Sequence, residues 1–67
     1  MNRNQIEGNW MQIKGKVKEQ WGKLTDDDLD RIDGRRDQLV GQLQESYGIA
    51  QEEAERRVSD WERTLPH

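Results

Sequence analysis

Few residues of this chain are of a type that carries out catalysis, and their spacing does not combine them. The one histidine, His67, is the last residue, and cysteine is absent. The two serines, Ser46 and Ser59, have no base at a spacing that would activate them as nucleophiles. A chain of 67 residues also has little volume for a ligand-sized pocket. We therefore predict that the protein is not an enzyme, has no catalytic or cofactor-binding residues, requires no cofactor and takes no small-molecule substrate.

A run of aspartates near the middle of the chain could instead bind a metal ion. An EF-hand loop that began at Asp26 would need glycine at its sixth position and glutamate at its twelfth. Those two positions hold Arg31 and Asp37, so the calcium-binding pattern fails. The aspartates at 26–28 are instead typical of the first turn of a helix, where the backbone N–H groups favour negative charge. No metal site is predicted.

Nucleic-acid binding is another candidate, because two tryptophans and four lysines lie between Asn9 and Leu24. Bases could stack on the tryptophans, and phosphates could bind the lysines. The helical period, however, places each tryptophan on the apolar side of its helix and the lysines on both flanks of that side. Packing in a core is therefore predicted for the tryptophans, and non-specific phosphate binding stays as the alternative. The candidate contacts for phosphate or a protein partner are Lys14, Lys16, Lys18 and Lys23.

The composition is that of a hydrophilic chain with few apolar residues for a core. Hydrophobic residues make up 30% of the sequence and charged residues 37%, and the mean hydropathy is -1.32. A stable fold then requires nearly every apolar side chain in the core. No apolar run is long enough to cross a membrane, and the first residues lack the basic and then apolar pattern of a signal peptide. A cytoplasmic protein that does not bind membranes is predicted.

Charge is divided unevenly along the chain. Residues 1–24 hold five basic and two acidic residues, whereas residues 25–67 hold six basic and twelve acidic residues. The first part therefore carries +3 and the second -6, which together give the net charge of -3. Such a division can pair one part of a fold with the other, or the basic part of one copy with the acidic part of a second. The predicted partner is an unidentified protein or a second copy of this chain.

The spacing of apolar residues predicts the first two helices. Apolar side chains recur every three or four residues from Ile6 to Leu24, which is the period of one helical face. Thr25 and the three aspartates after it indicate the start of a second, short helix, with Leu24 packed against Leu29.

Two further helices are predicted in the second part of the chain. The apolar pattern resumes after Gly34 and stops at Gly48, where a left-handed glycine would end the helix. The last helix would begin at Ala50, a poor capping residue, although Glu53 could still bind back to the backbone. Its apolar face would hold Ala54, Val58, Trp61 and Leu65, with Pro66 beyond the end. The predicted core is Trp10, Ile13, Val17, Trp21, Leu24, Leu29, Ile32, Leu39, Val40, Leu43, Tyr47, Ile49, Val58 and Trp61.

The glycines indicate an internal repeat. Gly8, Gly15 and Gly22 are seven residues apart, and so are Gly34, Gly41 and Gly48, and neighbouring residues of the two triples also superpose. Each half would be a helix, a tight turn and a second helix, and the two apolar faces can be buried only against one another. The predicted fold is all-α, a small bundle of about four helices made of two α-hairpins packed crosswise. Residues 29–47 could form one helix bent at the first glycine of the second triple, or two helices.

Several motifs occur together in this chain: GNW at 8–10, KGKVKE at 14–19, WGKLTDDD at 21–28, RDQLVG at 36–41 and YG at 47–48. In these motifs the sequence resembles the bacterial CsbD-like family, and most closely its enterobacterial branch. The resemblance implies one CsbD-like domain over residues 1–67, with the fold of two crossed α-hairpins. It also implies a small cytoplasmic protein of the general stress response, including osmotic stress, and offers no catalytic motif. The predicted function is a non-enzymatic interaction or protective protein, with non-specific nucleic-acid binding through the first helix as the alternative.

Overall fold

A computed structural model describes residues 8–65 of the protein, and in this range it contains four α-helices and no β-strand. Helix α1 spans Trp10–Gln20, α2 spans Asp26–Ile32, α3 spans Arg36–Tyr47 and α4 spans Gln51–Glu62. The prediction of a small all-α bundle of four helices is confirmed. None of these helices is long and apolar enough to cross a bilayer.

Helix α1 is shorter than the apolar pattern that predicts it. It ends at Gln20, and Trp21 leaves the helical conformation with φ -126° and ψ 82°. The N–H of Leu24 donates to the carbonyl of Trp21 at 3.1 Å and closes a turn around Gly22, a poor helix former. The extension of the helix to Leu24 was therefore wrong at its carboxyl end, although both apolar side chains of the turn are buried. The predicted start at Ile6 lies outside the described residues, as do Pro66 and His67.

Helix α2 begins and ends with local interactions. The N–H of Asp28 donates to Thr25 Oγ1 at 3.1 Å, and the N–H of Thr25 donates to Asp28 Oδ2 at 2.9 Å, so the predicted cap is a complete capping box. At the other end Asp33 and Gly34 both have positive φ, 46° and 81°. A helix cannot continue through two left-handed residues. Residues 29–47 therefore form two helices instead of one bent helix.

The turn between α3 and α4 is as tight as predicted. Gly48 has φ 65° and ψ 39°, and the N–H of Ile49 donates to the carbonyl of Gln44 at 3.3 Å, which is a typical helix end at a left-handed glycine. Helix α4 then starts at Gln51, and Ala50 before it provides no side-chain cap. Glu53 was expected to bind back to the backbone here, but its carboxylate accepts hydrogen bonds from two arginines of its own helix.

The core lies between the four helices and contains apolar residues of each. The buried side chains are Ile13, Val17, Trp21, Leu24, Leu29, Ile32, Leu39, Val40, Leu43, Ala54, Val58, Trp61 and Leu65. Trp10, Tyr47 and Ile49 are half-buried and pack against this cluster. The most extensive backbone packing joins α3 to α4 and, to a lesser extent, to α2. Helix α1 is attached to this unit by its side chains, of which Ile13 and Val17 enter the core.

Candidate functional site

The four lysines proposed as phosphate or partner contacts do not form one basic surface. Lys14 Nζ lies 3.1 Å from Asp30 Oδ1 on α2. Lys18 Nζ donates to the carbonyl oxygen of Leu24, and Lys23 Nζ lies 5.0 Å from the centroid of the Tyr47 ring.

Lys16 is the fourth of these lysines, and it is exposed, with no hydrogen-bond or ion-pair partner among residues 8–65. Three of the four ammonium groups are therefore directed at acceptors inside the chain, and a phosphate would have to compete with those acceptors.

The tryptophans contribute to the core more than to the surface. Trp21 and Trp61 are 4% and 7% exposed, and their rings meet edge to face, with centroids 5.1 Å apart and planes at 64°. This is a favourable arrangement for two aromatic quadrupoles. Stacking on a base requires an exposed ring face, and neither ring presents one. Trp10 is half-buried at the start of α1.

A cleft lies beside Trp61, between the carboxyl end of α1 and one side of α4, and it reaches Tyr47 at the end of α3. It has two adjoining hollows, of about 490 and 280 Å³, which share the lining residues Gln20, Trp61 and Thr64. We call this surface the Trp61 cleft. Its remaining lining residues are Lys16, Glu19, Trp21, Tyr47, Arg57, Asp60 and Leu65.

The Trp61 cleft has an aromatic floor and a rim that carries both signs of charge. Lys16 and Glu19 line it from α1, and Arg57 and Asp60 line it from α4. Arg57 Nε donates to Glu53 at 2.9 Å, which leaves its terminal nitrogens for other acceptors. Hydrogen bonds from Arg56 and then Arg57 hold the pKa of the Glu53 carboxyl below its ordinary value. Such a surface can make hydrogen bonds and ion pairs with a ligand or partner, but it contains no activated nucleophile.

A second polar cluster lies inside the fold, at the open end of the α3–α4 hairpin. Arg36, the first residue of α3, donates from Nε to Glu62 Oε1 at 3.0 Å and from Nη2 to Ser59 Oγ at 2.8 Å. The side chains of Arg36 and Glu62 are 23% and 5% exposed. The other carboxylate oxygen of Glu62 is buried without a hydrogen-bond partner among the described residues.

The sequence did not reveal this ion pair, because the two charged residues are 26 positions apart. One signal was present, since Glu62 lies four residues after Val58 and three before Leu65 and so shares their buried face. A charged residue at such a position indicates a buried partner. The cleft residues Gln20, Arg57 and Thr64 carried no comparable signal, because surface polar residues on helices are common.

Of the aspartates at 26–28, Asp28 completes the capping box of α2, and the other two lie in the first turn of that helix. The pKa of the Asp28 carboxyl is held below its ordinary value, first by the hydrogen bond from the Thr25 backbone and further by the Thr25 hydroxyl and Arg31. Arg31 Nη2 lies 2.6 Å from Asp28 Oδ1. Within residues 8–65 no group of three or more acidic, histidine or cysteine side chains is placed to hold a metal ion.

These features define a small four-helix protein with a mixed-charge cleft. The CsbD family model, described as CsbD-like, matches residues 4–56, and the chain therefore belongs to the CsbD-like family. The chain is 63% identical over 62 residues to the UPF0337 protein YjbJ of Escherichia coli K12, which covers 92% of this chain and 90% of that protein.

Two other relatives extend the comparison to further bacteria. A UPF0337 protein of Pectobacterium atrosepticum is 64% identical over 62 residues, with 92% of this chain and 90% of that protein covered. A UPF0337 protein of Rhodopseudomonas palustris is 63% identical over 65 residues, with 97% of this chain and 98% of that protein covered. The names of these relatives assign no activity.

Proposed function

We propose that this protein acts in the bacterial general stress response, including the response to osmotic stress, without catalysing a reaction. It works in the cytoplasm through non-covalent contact with a protein partner or with a second copy of itself, and the Trp61 cleft makes that contact. Membership of the CsbD-like family supports the stress-response part of the proposal. The cleft supports the part that concerns binding.

The observation that carries the binding part is the state of the polar groups around the cleft. Lys16, Glu19 and Gln20 are exposed on one wall, and none has a hydrogen-bond or ion-pair partner among residues 8–65. Charged side chains elsewhere in the described range are either paired, as Glu53 is with Arg56 and Arg57, or unpaired outside this cleft, as Glu45 and Glu55 are. Uncommitted polar groups beside a buried aromatic cluster are typical of a surface that binds a partner.

The alternative, non-specific nucleic-acid binding, would use Lys14, Lys16, Lys18 and Lys23. The contacts of Lys14 with Asp30 and of Lys18 with the Leu24 carbonyl weigh against it, because phosphate binding would have to replace them. Amide NMR spectra at low salt, with and without mixed-sequence DNA, test this alternative. Shifts around Lys14 to Lys23 that disappear as salt is added would favour it over the cleft.

Genetic complementation tests the proposed function. A strain without the gene should survive osmotic shock or stationary phase less well, and the wild-type gene should restore survival. A charge reversal on the cleft, Glu19→Lys, should fail to restore it. The matched control is Glu45→Lys, because the internal repeat superposes these two exposed glutamates and Glu45 does not line the cleft.

Each result of this test has a distinct meaning. Normal survival of the deletion strain under every stress would contradict the stress-response role. Restoration by Glu19→Lys equal to that by the control would leave the role intact and remove the Trp61 cleft as the contact surface. Circular dichroism of both purified variants confirms that each is folded before the strains are compared.

A further inference from the structure

Met11 is the one large apolar side chain that is strongly exposed in the described part of the chain. It is 88% exposed, on the first turn of α1, and it borders an open hollow of about 220 Å³ formed by residues 8–12. It takes no part in the hydrophobic core. Its thioether is therefore in contact with solvent, while the fold does not depend on its packing.

The sequence around Met11 keeps the thioether uncovered. A helical side chain leans toward the amino terminus and covers the turn before it, so the residue four positions later normally shields an exposed side chain. That residue is Gly15, and nothing lies within 4 Å of the position that a Cβ atom would occupy there. Lys14, three positions after Met11, is directed at Asp30 instead.

We propose that Met11 is a site of reversible oxidation by hydroperoxides that leaves the fold intact. The sulfur lone pair attacks one oxygen of the hydroperoxide, so that an S–O bond forms and the O–O bond breaks. The sulfur loses two electrons and becomes a sulfoxide, and hydrogen peroxide is reduced to one molecule of water, with its own protons completing that water. Exposure of the thioether sets the rate of such a reaction. This inference does not rest on the proposed stress-response function.

The sulfoxide changes the surface and not the core. An apolar, flexible side chain becomes polar and gains a hydrogen-bond acceptor on the outer face of α1. The buried neighbours Ile13 and Val17 lie on the opposite face of the helix and keep their contacts. Methionine sulfoxide reductases, one for each sulfoxide epimer, reverse the reaction.

The rate of oxidation is the first measurement. The full-length protein is treated with hydrogen peroxide at neutral pH, and the gain of one oxygen is followed by mass spectrometry of the peptide that contains position 11, separate from that of Met1. N-acetylmethionine amide in the same solution is the reference. The expected rate at position 11 is within about two-fold of the reference. Oxidation at position 11 that is slower than the reference by about five-fold or more would overturn the proposal.

A shielding variant tests the role of the glycine. Gly15→Leu places a side chain over Met11 and should slow its oxidation by about three-fold. Gly41→Leu is the matched control, because Gly41 is also an exposed mid-helix glycine with nothing within 4 Å of its Cβ position. Equal rates in the two variants would show that the glycine does not keep the thioether open.

Two further measurements complete the test: the stability of the oxidised protein and the reduction of its sulfoxide. Circular dichroism and the unfolding midpoint of the oxidised protein should match those of the untreated protein, with Met11→Leu as the control for oxidation elsewhere. Treatment with the two reductases should return the original mass. Unfolding on oxidation, or a sulfoxide that neither reductase reduces, would overturn the proposal.

Discussion

The two helix pairs of this protein are stabilised in different ways, although the glycine spacing predicts that their sequences repeat. The pair α1–α2 is joined by the ion pair of Lys14 and Asp30, whose side chains are 36% and 68% exposed. The pair α3–α4 is joined by Arg36 and Glu62, whose side chains are 23% and 5% exposed. An exposed ion pair contributes about 0 to 1 kcal/mol, whereas breaking a buried one leaves an uncompensated charge.

The starts of the helices differ in the opposite sense, because a side-chain cap occurs in the first helix pair and not in the second. Helix α2 has a complete capping box between Thr25 and Asp28. Arg35 and Ala50, the residues that precede α3 and α4, provide no side-chain cap. The starts of α3 and α4 are therefore stabilised by tertiary contacts, whereas the start of α2 is stabilised by its own local hydrogen bonds. Local hydrogen bonds can thus support one helix, while tertiary contacts support the helix at the corresponding position of the predicted repeat.

The largest expected effect comes from the buried ion pair. Arg36→Met should lower the free energy of unfolding by about 3 kcal/mol, because Glu62 would remain buried without a counter-charge. Lys14→Met, the matched change in the exposed pair, should lower it by less than about 1 kcal/mol. Urea denaturation followed by tryptophan fluorescence measures both values.

A double variant separates the unpaired charge from lost packing. Arg36→Met combined with Glu62→Met should return stability to within about 1 kcal/mol of the wild type, because no buried charge is left. Equal losses for Arg36→Met and Lys14→Met would contradict the difference between the two helix pairs.

The next largest effect on stability is expected at the turns that contain Gly22 and Gly48. Gly48 has φ 65°, a left-handed conformation that strains residues with a Cβ atom, whereas Gly22 at the equivalent position of the first pair has no positive φ. Gly48→Ala should therefore lower the free energy of unfolding by about 1 to 2 kcal/mol, and Gly22→Ala should change it by less than about 0.5 kcal/mol. Thermal unfolding of both variants measures the difference, and equal midpoints would show that the two turns are conformationally equivalent.

The smallest effect concerns the caps. Ala50→Ser supplies the missing side-chain acceptor at the start of α4 and should raise the free energy of unfolding by about 0.5 to 1 kcal/mol. Thr25→Ala removes the existing cap of α2 and should lower it by about 1 kcal/mol. The urea midpoints of the two variants should move in opposite directions. An unchanged midpoint for Ala50→Ser would mean that the start of α4 does not use a side-chain cap.

Most of the fold could be predicted from short-range patterns. The period of Ile13 and Val17 predicts the buried side of α1, and Thr25 with Asp28 predicts the capping box. The carboxyl end of α1 was predicted less well, because the apolar spacing continues through Trp21 into the turn, where the same side chains reach the core from a non-helical backbone. Spacing alone does not distinguish these two geometries.

Local sequence patterns predict most of each helix, the capping box of α2 and the reversal at Gly48, because each depends on backbone hydrogen bonds and conformational preferences within a few residues. Which distant groups meet depends instead on the packing of the helices. Tertiary packing brings Arg36 to Glu62, directs Lys14 at Asp30 and forms the Trp61 cleft from residues of three helices. Such contacts depend on how whole helices pack, and the order of residues along one helix does not record the positions of the others.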